Sequence, residues 1–252
     1  MSEQTHEIRT AVVTGAAGGM GRAIVSRLSE SGYAVAGLDI DRPGLKEIEQ
    51  TIKTAGGSFM PVVCDLTDPV AIARAFEEID AEIGGLDALV NNAGTCFMGE
   101  FPDIAADELN QQMAVNFTGA FHCCQEAVRR MRLRPGVKKI VNISSNGAYN
   151  FDVFDPPHYR ASKAALDTLT KDLARRYAHD RISVNSIAPA MTETPLFDVL
   201  TPEVLESALA AMPHGRAMRP EEVAEWVSFL ISPAGDVASG NVIILNQGRD
   251  VR

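Results

Sequence analysis

A tyrosine and a lysine stand four residues apart in the stretch PPHYRASKAALDTLTKDLARRYA, at Tyr159 and Lys163. The stretch reads as a long amphipathic helix. Four residues make about one helical turn, so the phenol and the ammonium share a face. A phenol with a pKa of about 10 is a poor base at neutral pH, and lowering it by about 3 units takes roughly 4 kcal/mol of interaction favouring the phenolate. A neighbouring cation supplies interaction of that sign. Such a pair also arises by chance in many helices, so its meaning depends on what the chain builds around it.

Glycines form a second candidate. AVVTGAAGGMGRAI places Gly15, Gly18, Gly19 and Gly21 between an apolar run and an amphipathic stretch. Between a strand and a helix, glycine lets the backbone turn tightly and approach a pyrophosphate held on the helix N-terminus. The spacing is TGxxxGxG, which meets the GxGxxG fingerprint only loosely. A tight connection without a ligand is the other reading, and the position at the start of a βαβ unit favours the cofactor. The next apolar run ends in GLDID, with Asp39 24 positions after Gly15. That is near the spacing of the acid that holds an adenosine ribose. A carboxylate there accepts from the ribose hydroxyls and repels a 2'-phosphate, which selects NAD over NADP. Arg42 follows three residues later and reads as a solvated side chain.

Other chemistries lack their residues. There is no GxSxG, so Ser144 and Ser145 have no hydrolase elbow. His6, His122, His158, His179 and His214 show no metal spacing, and no metal is expected. Each reads as a surface or packing residue, with substrate contact as the alternative for His158, beside Tyr159. The cysteines at 64, 96, 123 and 124 form no CxxC, and reduced, buried thiols are expected. Glu126, Arg129, Arg130 and Arg132 read as a solvated helix face.

The elements that must position these groups alternate along the chain. Strands fit Thr10–Thr14, Ala34–Asp39, Phe59–Val63, Ala88–Val90, Lys139–Ile143, Ser183–Ile187 and Val242–Leu245. Helices fit Met20–Ser31, Gly44–Ala55, Pro69–Ile83, Ala106–Arg132, Tyr159–Ala178 and Glu221–Ile231. Short apolar runs alternating with amphipathic ones predict an α/β fold, with about seven parallel strands covered by helices on both faces. No composition shift marks a linker, so 1–252 is read as one domain. An excursion at about 190–219, centred on Thr192–Arg219, reads as a substrate lid. The net charge is -10 and the pI about 5.0, which argues against a nucleic-acid partner. No apolar run approaches the roughly 20 residues of a membrane span. The start MSEQTHEIRT lacks a signal core, so a cytoplasmic protein is expected.

In this order the motifs resemble the short-chain dehydrogenase/reductase family, in its compact single-domain branch, over essentially the whole chain. TGAAGGMG at Thr14–Gly21, which includes Met20, is similar to the family's cofactor turn. Asp65-Leu66 resembles its adenine contact, and NNAG, with Asn92, Ala93 and Gly94, the motif closing the fourth strand. VNFTG supplies Asn116, NISS supplies Ser145 by the NxxS pattern, and Tyr159 and Lys163 follow. The resemblance implies a Rossmann-like doubly wound fold and an Asn116/Ser145/Tyr159/Lys163 catalytic set. Ser145 would bond the substrate oxygen, Lys163 would also hold the nicotinamide ribose, and Asn116 would hold a relay water. Pro189, Thr192 and Thr194 would form the nicotinamide turn. Cys96, Ser145, Gly147 and Tyr159 would line the substrate pocket, with Phe97 and Met98 beside them.

Three departures stand out. Thirteen residues separate Ser145 from Tyr159, one more than the family's usual gap. Pro189-Ala190 replaces Pro-Gly, and NQG at Asn246–Gly248 replaces Asp-Gly-Gly. The last change is expected to affect subunit contacts more than chemistry. The expected activity is NAD-dependent interconversion of a small, mostly apolar secondary alcohol and its ketone. A cyclic diol or sugar dehydrogenase is the alternative, and a non-catalytic NAD sensor a third. Leu109, Met113, Phe117, Ala120 and Phe121 on one helix, and Leu166, Leu169, Leu173 and Tyr177 on another, offer apolar residues on more than one face. A homotetramer built on two-fold axes is expected, with a dimer as fallback.

Overall fold

Each apolar run lies in a strand: β1 Arg9–Thr14, β2 Tyr33–Asp39, β3 Ser58–Val63, β4 Ala88–Asn91, β5 Lys138–Ile143, β6 Ile182–Pro189 and β7 Val242–Leu245. In this computed structural model, which describes residues 9–151, 155–195, 197 and 200–250, all seven pair in parallel in one sheet. The order is β3-β2-β1-β4-β5-β6-β7. His6 and parts of the 146–157 loop and the lid lie outside the described residues.

The helices are α1 Gly19–Glu30, α2 Arg42–Thr54, α3 Pro69–Glu82, α4 Ala106–Met113, α5 Ala120–Met131, α6 Pro157–Arg176, α7 Pro202–Ala210 and α8 Pro220–Ile231. They bury both faces of the sheet. Ile24, Leu28, Ile48, Val223 and Leu230 pack with Ala11, Val13 and Val90 on one side. Phe76, Ile79, Cys123, Met131 and Leu166 pack with Val12, Leu89 and Ile140 on the other. Along β1 the side chains alternate between these two cores, as the pleat requires. Both faces are covered, so the strands read as continuous apolar runs.

After β1 the chain runs outward to β2 and β3, then returns to pair β4 on the other side of β1. That reversal opens a crevice at the carboxyl ends of β1 and β4, where doubly wound sheets bind ligands. Gly15–Gly21 and Asn92–Gly94 follow β1 and β4, Asp39 ends β2, Asp65 and Leu66 follow β3, and Pro189 ends β6.

Two elements differ from expectation. The helix expected over Ala106–Arg132 is interrupted at Ala114–Gly119 by a π-helical turn that carries Asn116. π-turns of this kind often mark functional sites. The lid contains α7, none of whose residues is buried. Its inward side is only half-buried, through Leu205, Ala208 and Leu209, while Thr201 caps it through Val204 N and Pro202 opens its first turn. Among the described residues, no helix is long and apolar enough to cross a membrane.

Candidate active site

The glycine turn is built by close approach. Gly15 has φ +63, and a Cβ on it would lie 2.7 Å from Ala93 Cα. A Cβ on Gly21 would fall 2.0 Å from the Gly15 carbonyl oxygen. The turn is docked onto NNAG. Asn92 Nδ2 donates to the carbonyls of Thr14 (3.1 Å) and Gly15 (3.0 Å), and Thr14 Oγ1 accepts from the amides of Asn92 and Ala93. Gly18 begins α1 with no side-chain cap, and no acidic residue lies in the first turn. Those amides and the helix dipole therefore suit an anion.

Asp39 closes the far side of this cradle. Its carboxylate accepts from Ala17 N at 2.9 Å and Asp41 N at 3.0 Å, one bond per oxygen. A carboxylate has about four acceptor positions, so two remain for ribose hydroxyls. Asp65, exposed after β3, turns back on itself through Thr67 N and Oγ1, both at 2.8 Å. Leu66 is buried, and its carbonyl lies 2.7 Å from where a Cβ on Gly119 would stand. Thr194 and Pro195 cover Gly19 at 3.2 Å from its would-be Cβ, which folds the lid over the start of α1. Thr192, buried, bridges to Met218. These groups fit a dinucleotide: bare amides for a pyrophosphate, a carboxylate for a ribose, and the Pro189–Thr194 turn beside the reacting face.

One cleft joins that turn to the Tyr159 helix. Met20, Cys96, Met98, Ser145, Gly147, Tyr159, Pro189, Thr192 and Thr194 all line it. Ser145 is distinguished from its neighbour here. Its hydroxyl accepts from Gly147 N at 3.0 Å and lines the cleft beside the Tyr159 phenol, whereas the Ser144 hydroxyl donates to Asp167. Phe97 is half-buried and bonded through its amide to Gln112 Oε1 at 3.0 Å, outside the cleft lining. His158 does not line the cleft either. It is buried with both ring nitrogens unpartnered, and nothing in the structure assigns it a substrate contact.

Lys163 is buried below the phenol, with Nζ 5.9 Å from the Tyr159 ring centre and donating to the Ile143 carbonyl at 2.8 Å. Burial pulls its pKa down to about 8, opposed by Asp167. For Tyr159, burial works against the acidifying effect expected of Lys163. The cleft walls withdraw the phenol from water and push its pKa up; Asp155 adds to the rise and the Ser145 hydrogen bond opposes it. Desolvation disfavours the charged form of both partners, so burial opposes the phenolate that a nearby cation favours.

Asn116 spans Gly94. A Cβ there would lie 3.2 Å from Lys163 Nζ and 3.5 Å from Asn116 Oδ1. The Asn116 amide accepts from Thr95 N (2.8 Å) and donates to Thr95 O (2.9 Å) and Ser162 Oγ (3.1 Å). Its visible work is to pin the NNAG loop to α6.

Four contributors carry no motif. Gln112, fully buried, holds Thr95 O and Phe97 N. Asp155 and Arg249 line the cleft. Asp167, one turn after Lys163, accepts from Ser144 Oγ (2.8 Å), Tyr149 OH (2.8 Å) and Ser186 Oγ (2.6 Å), joining β5, the loop after it, and β6. Its i, i+4 relation to Lys163 was a legible signal. Hydrogen bonds to a charged group contribute ~1.5–3 kcal/mol each, less than additively. Asp167→Ala is therefore expected to cost about 3 kcal/mol and lower Tm by about 6–12 °C in a chain of this size. Thermal denaturation followed by circular dichroism checks this, and an unchanged Tm would remove Asp167 as the anchor.

The NQG tail leads into a residue of the cleft. Gln247 accepts from His214 N and donates to Arg216 O, Asp250 accepts from Asn146 and Asn150, and Arg249 lines the cavity. Gln247 and Gly248 take positive φ to make that turn.

Comparison with known proteins gives this geometry its context. The family model described as enoyl-(acyl carrier protein) reductase matches residues 15–250. The chain is 36% identical over 246 residues to a cis-4-hydroxycyclohexanecarboxylate dehydrogenase of Sinomonas cyclohexanicum, covering 95% of this chain and 96% of that one. It is 33% identical to a 3-oxoacyl-(acyl-carrier-protein) reductase of Thermotoga maritima, covering 96% and 98%. The chain belongs to the short-chain dehydrogenase/reductase family. A crystal structure of a dehydrogenase/reductase from Sinorhizobium meliloti 1021 superposes with a TM-score of 0.91 at 31% identity, covering 96% of this chain and 95% of that one. A 3-ketoacyl-(acyl-carrier-protein) reductase from Brucella melitensis complexed with NADH gives 0.89 at 26%, covering 96% and 98%. An actinorhodin polyketide ketoreductase variant with NADPH gives 0.90 at 29%, covering 97% and 98%. This short-chain dehydrogenase/reductase is thus an oxidoreductase of a nicotinamide-using family whose fold accepts either cofactor.

Proposed function

We propose that the protein interconverts a small, mostly apolar secondary alcohol and its ketone, with NAD as the hydride partner. The observation that carries this reading is the single cleft in which Ser145 and Tyr159 face the Met20/Thr192/Thr194 cofactor wall, between apolar side chains such as Met98, Met191 and Phe197. Ser145, fixed by Gly147 N, holds the substrate oxygen. Tyr159 takes the hydroxyl proton in oxidation or gives it in reduction. Lys163, anchored on Ile143, stands beneath the phenol and is placed to hold a ribose hydroxyl. Bound NAD supplies the carbon that accepts the hydride. The neutral phenol is the acid form that reduction uses, so oxidation is expected to quicken as pH rises and Tyr159 ionises.

Asp39 supports NAD over NADP, because a 2'-phosphate would meet its carboxylate. The relatives named as acting on a hydroxycyclohexanecarboxylate and on 3-oxoacyl groups are consistent with alcohol and ketone chemistry. The direct test incubates the protein with NAD and, separately, NADP and a panel of secondary alcohols, and follows reduced-cofactor absorbance. Turnover with NAD supports the reading; NAD binding with no turnover across the panel favours a sensor.

The same proposal includes assembly. Leu109 and Phe121 on α4 and α5 remain exposed, as do Trp226 and Phe229, an edge-to-face pair on α8. Leu166, Leu169 and Ala120 serve the core instead. Two exposed apolar patches on different helices fit two isologous interfaces, hence a homotetramer. Light scattering in dilute neutral buffer is expected to give four times 27.1 kDa, and a mass near 27.1 kDa with full activity would refute it. Four free, buried thiols fit a reducing, cytoplasmic setting.

A further inference from the structure

The proposed chemistry leaves one carboxylate in the cleft without a role. Asp155 lines the cavity together with Ser145, Gly147 and Tyr159. It belongs to the segment that is one residue longer than the family's usual gap, and Arg160 staples that segment to α6. Arg160 Nε donates to the Asp155 carbonyl at 2.8 Å, and its Nη1 donates to the carbonyls of Gly147 (2.9 Å) and Asn150. The backbone is thus held and the side chain is turned towards Gly147. A Cβ on Gly147 would fall 2.0 Å from Asp155 Oδ2, so only glycine leaves room for the carboxylate there. Among the described residues, no side-chain or backbone donor is bonded to that carboxylate. Burial pushes its pKa up, and Arg160 opposes the rise. A carboxylate drawn from water without donors is costly, and a ligand that brings one recovers the loss.

We propose that Asp155 is the specificity group of this cleft, accepting a hydrogen bond from a second hydroxyl of the substrate, so that diols are preferred to simple alcohols. The inference rests on the alcohol-oxidation reading above. The reacting hydroxyl is taken by Ser145 and Tyr159, and the second one by Asp155. Sites built to bond a substrate hydroxyl reject analogues that lack it, because the buried acceptor is then left unpaired. The same carboxylate bears on the reacting phenol. The groups facing Tyr159 are Ser145 from the end of β5, Cys96 from the loop after β4, Lys163 from α6, and Asp155. Asp155 is the carboxylate among them, and the Cys96 thiol is pushed up to about 12 by burial.

The test compares the wild type with Asp155→Ala and Asp155→Asn on cyclohexanol, cyclohexane-1,2-diol, 2-aminocyclohexanol and 4-hydroxycyclohexanecarboxylate, with NAD. The diol-to-cyclohexanol ratio of kcat/KM is expected to fall at least about tenfold in Asp155→Ala, mostly through KM, and less in Asp155→Asn, which keeps an acceptor oxygen. In both variants the rising limb of the oxidation profile is expected at lower pH, because the charge that opposes phenolate has gone. An unchanged ratio, an unmoved limb, or a wild type that prefers the hydroxy acid and loses that preference in Arg249→Ala would overturn the proposal. Preference for the amino alcohol over the diol would overturn the hydroxyl in favour of an ammonium donor. Should no compound be oxidised, the alcohol-oxidation reading fails by itself. A rise in Tm with the diol that exceeds that with cyclohexanol and disappears in Asp155→Ala would still support Asp155 as the donor-binding group, and its absence would refute it.

Discussion

Tyr159→Phe is expected to lower kcat for alcohol oxidation by about a thousandfold, within the roughly 10²–10⁴ range that a positioned general acid or base contributes. The substitution removes one oxygen and keeps the ring that lines the cleft. The glycine turn and Asp39 are built by β1, β2 and α1, so NAD affinity is expected to stay within about twofold. Ser145 remains fixed by Gly147 N and still offers its hydroxyl to the substrate. Steady-state kinetics paired with a fluorescence titration of NAD separates the two effects. Turnover near the wild-type rate would remove Tyr159 from the proton path.

The second large effect concerns Asp39→Ala. Losing two ribose hydrogen bonds to a charged acceptor costs about 1.5–3 kcal/mol, or roughly 10–100-fold in NAD affinity. The change also frees the amides of Ala17 and Asp41 that the carboxylate now ties down, which loosens the glycine turn and adds to the loss. NADP, no longer repelled, is expected to lose much less, so the ratio of kcat/KM for NAD over NADP falls by at least about tenfold. Parallel kinetics with the two cofactors measures it. A wild type that already prefers NADP would contradict the role given to Asp39.

How far these sites were legible in the sequence follows from what fixes each residue. Gly15 and Gly21 were readable because backbone geometry itself excludes a side chain there. Tyr159 and Lys163 were readable because a helix turns a four-residue spacing into a shared face. Ser145 was readable only through the NxxS pattern of the family resemblance, which picks the second of two adjacent serines. The sheet was readable because strands buried on both faces become unbroken apolar runs. Asp155 and Arg249 were not, since their placement depends on loop paths held by Arg160, by Asp250 with its asparagines, and by the positive φ of Gln247. The π-turn at Asn116 was hidden because the apolar spacing continues through it. α7 is short and only half-buried along Leu205, Ala208 and Leu209, so its Thr201-Pro202 start and that brief stripe were its signals. The environment of Tyr159 was legible only in part: spacing shows that a cation is near, and only the fold shows the burial that opposes it.

Hydride transfer from a secondary alcohol to NAD in the Tyr159 cleft is the central claim, and label transfer tests it most directly. An alcohol carrying deuterium on its carbinol carbon, drawn from those the protein turns over, is incubated with NAD and the wild-type protein, and the reduced cofactor is analysed by mass spectrometry and proton NMR. The account predicts one deuterium at nicotinamide C4 per ketone formed, on a single face, with the yield collapsing in Tyr159→Phe. Ketone formed without deuterium in the cofactor, or undiminished transfer in Tyr159→Phe, would contradict it.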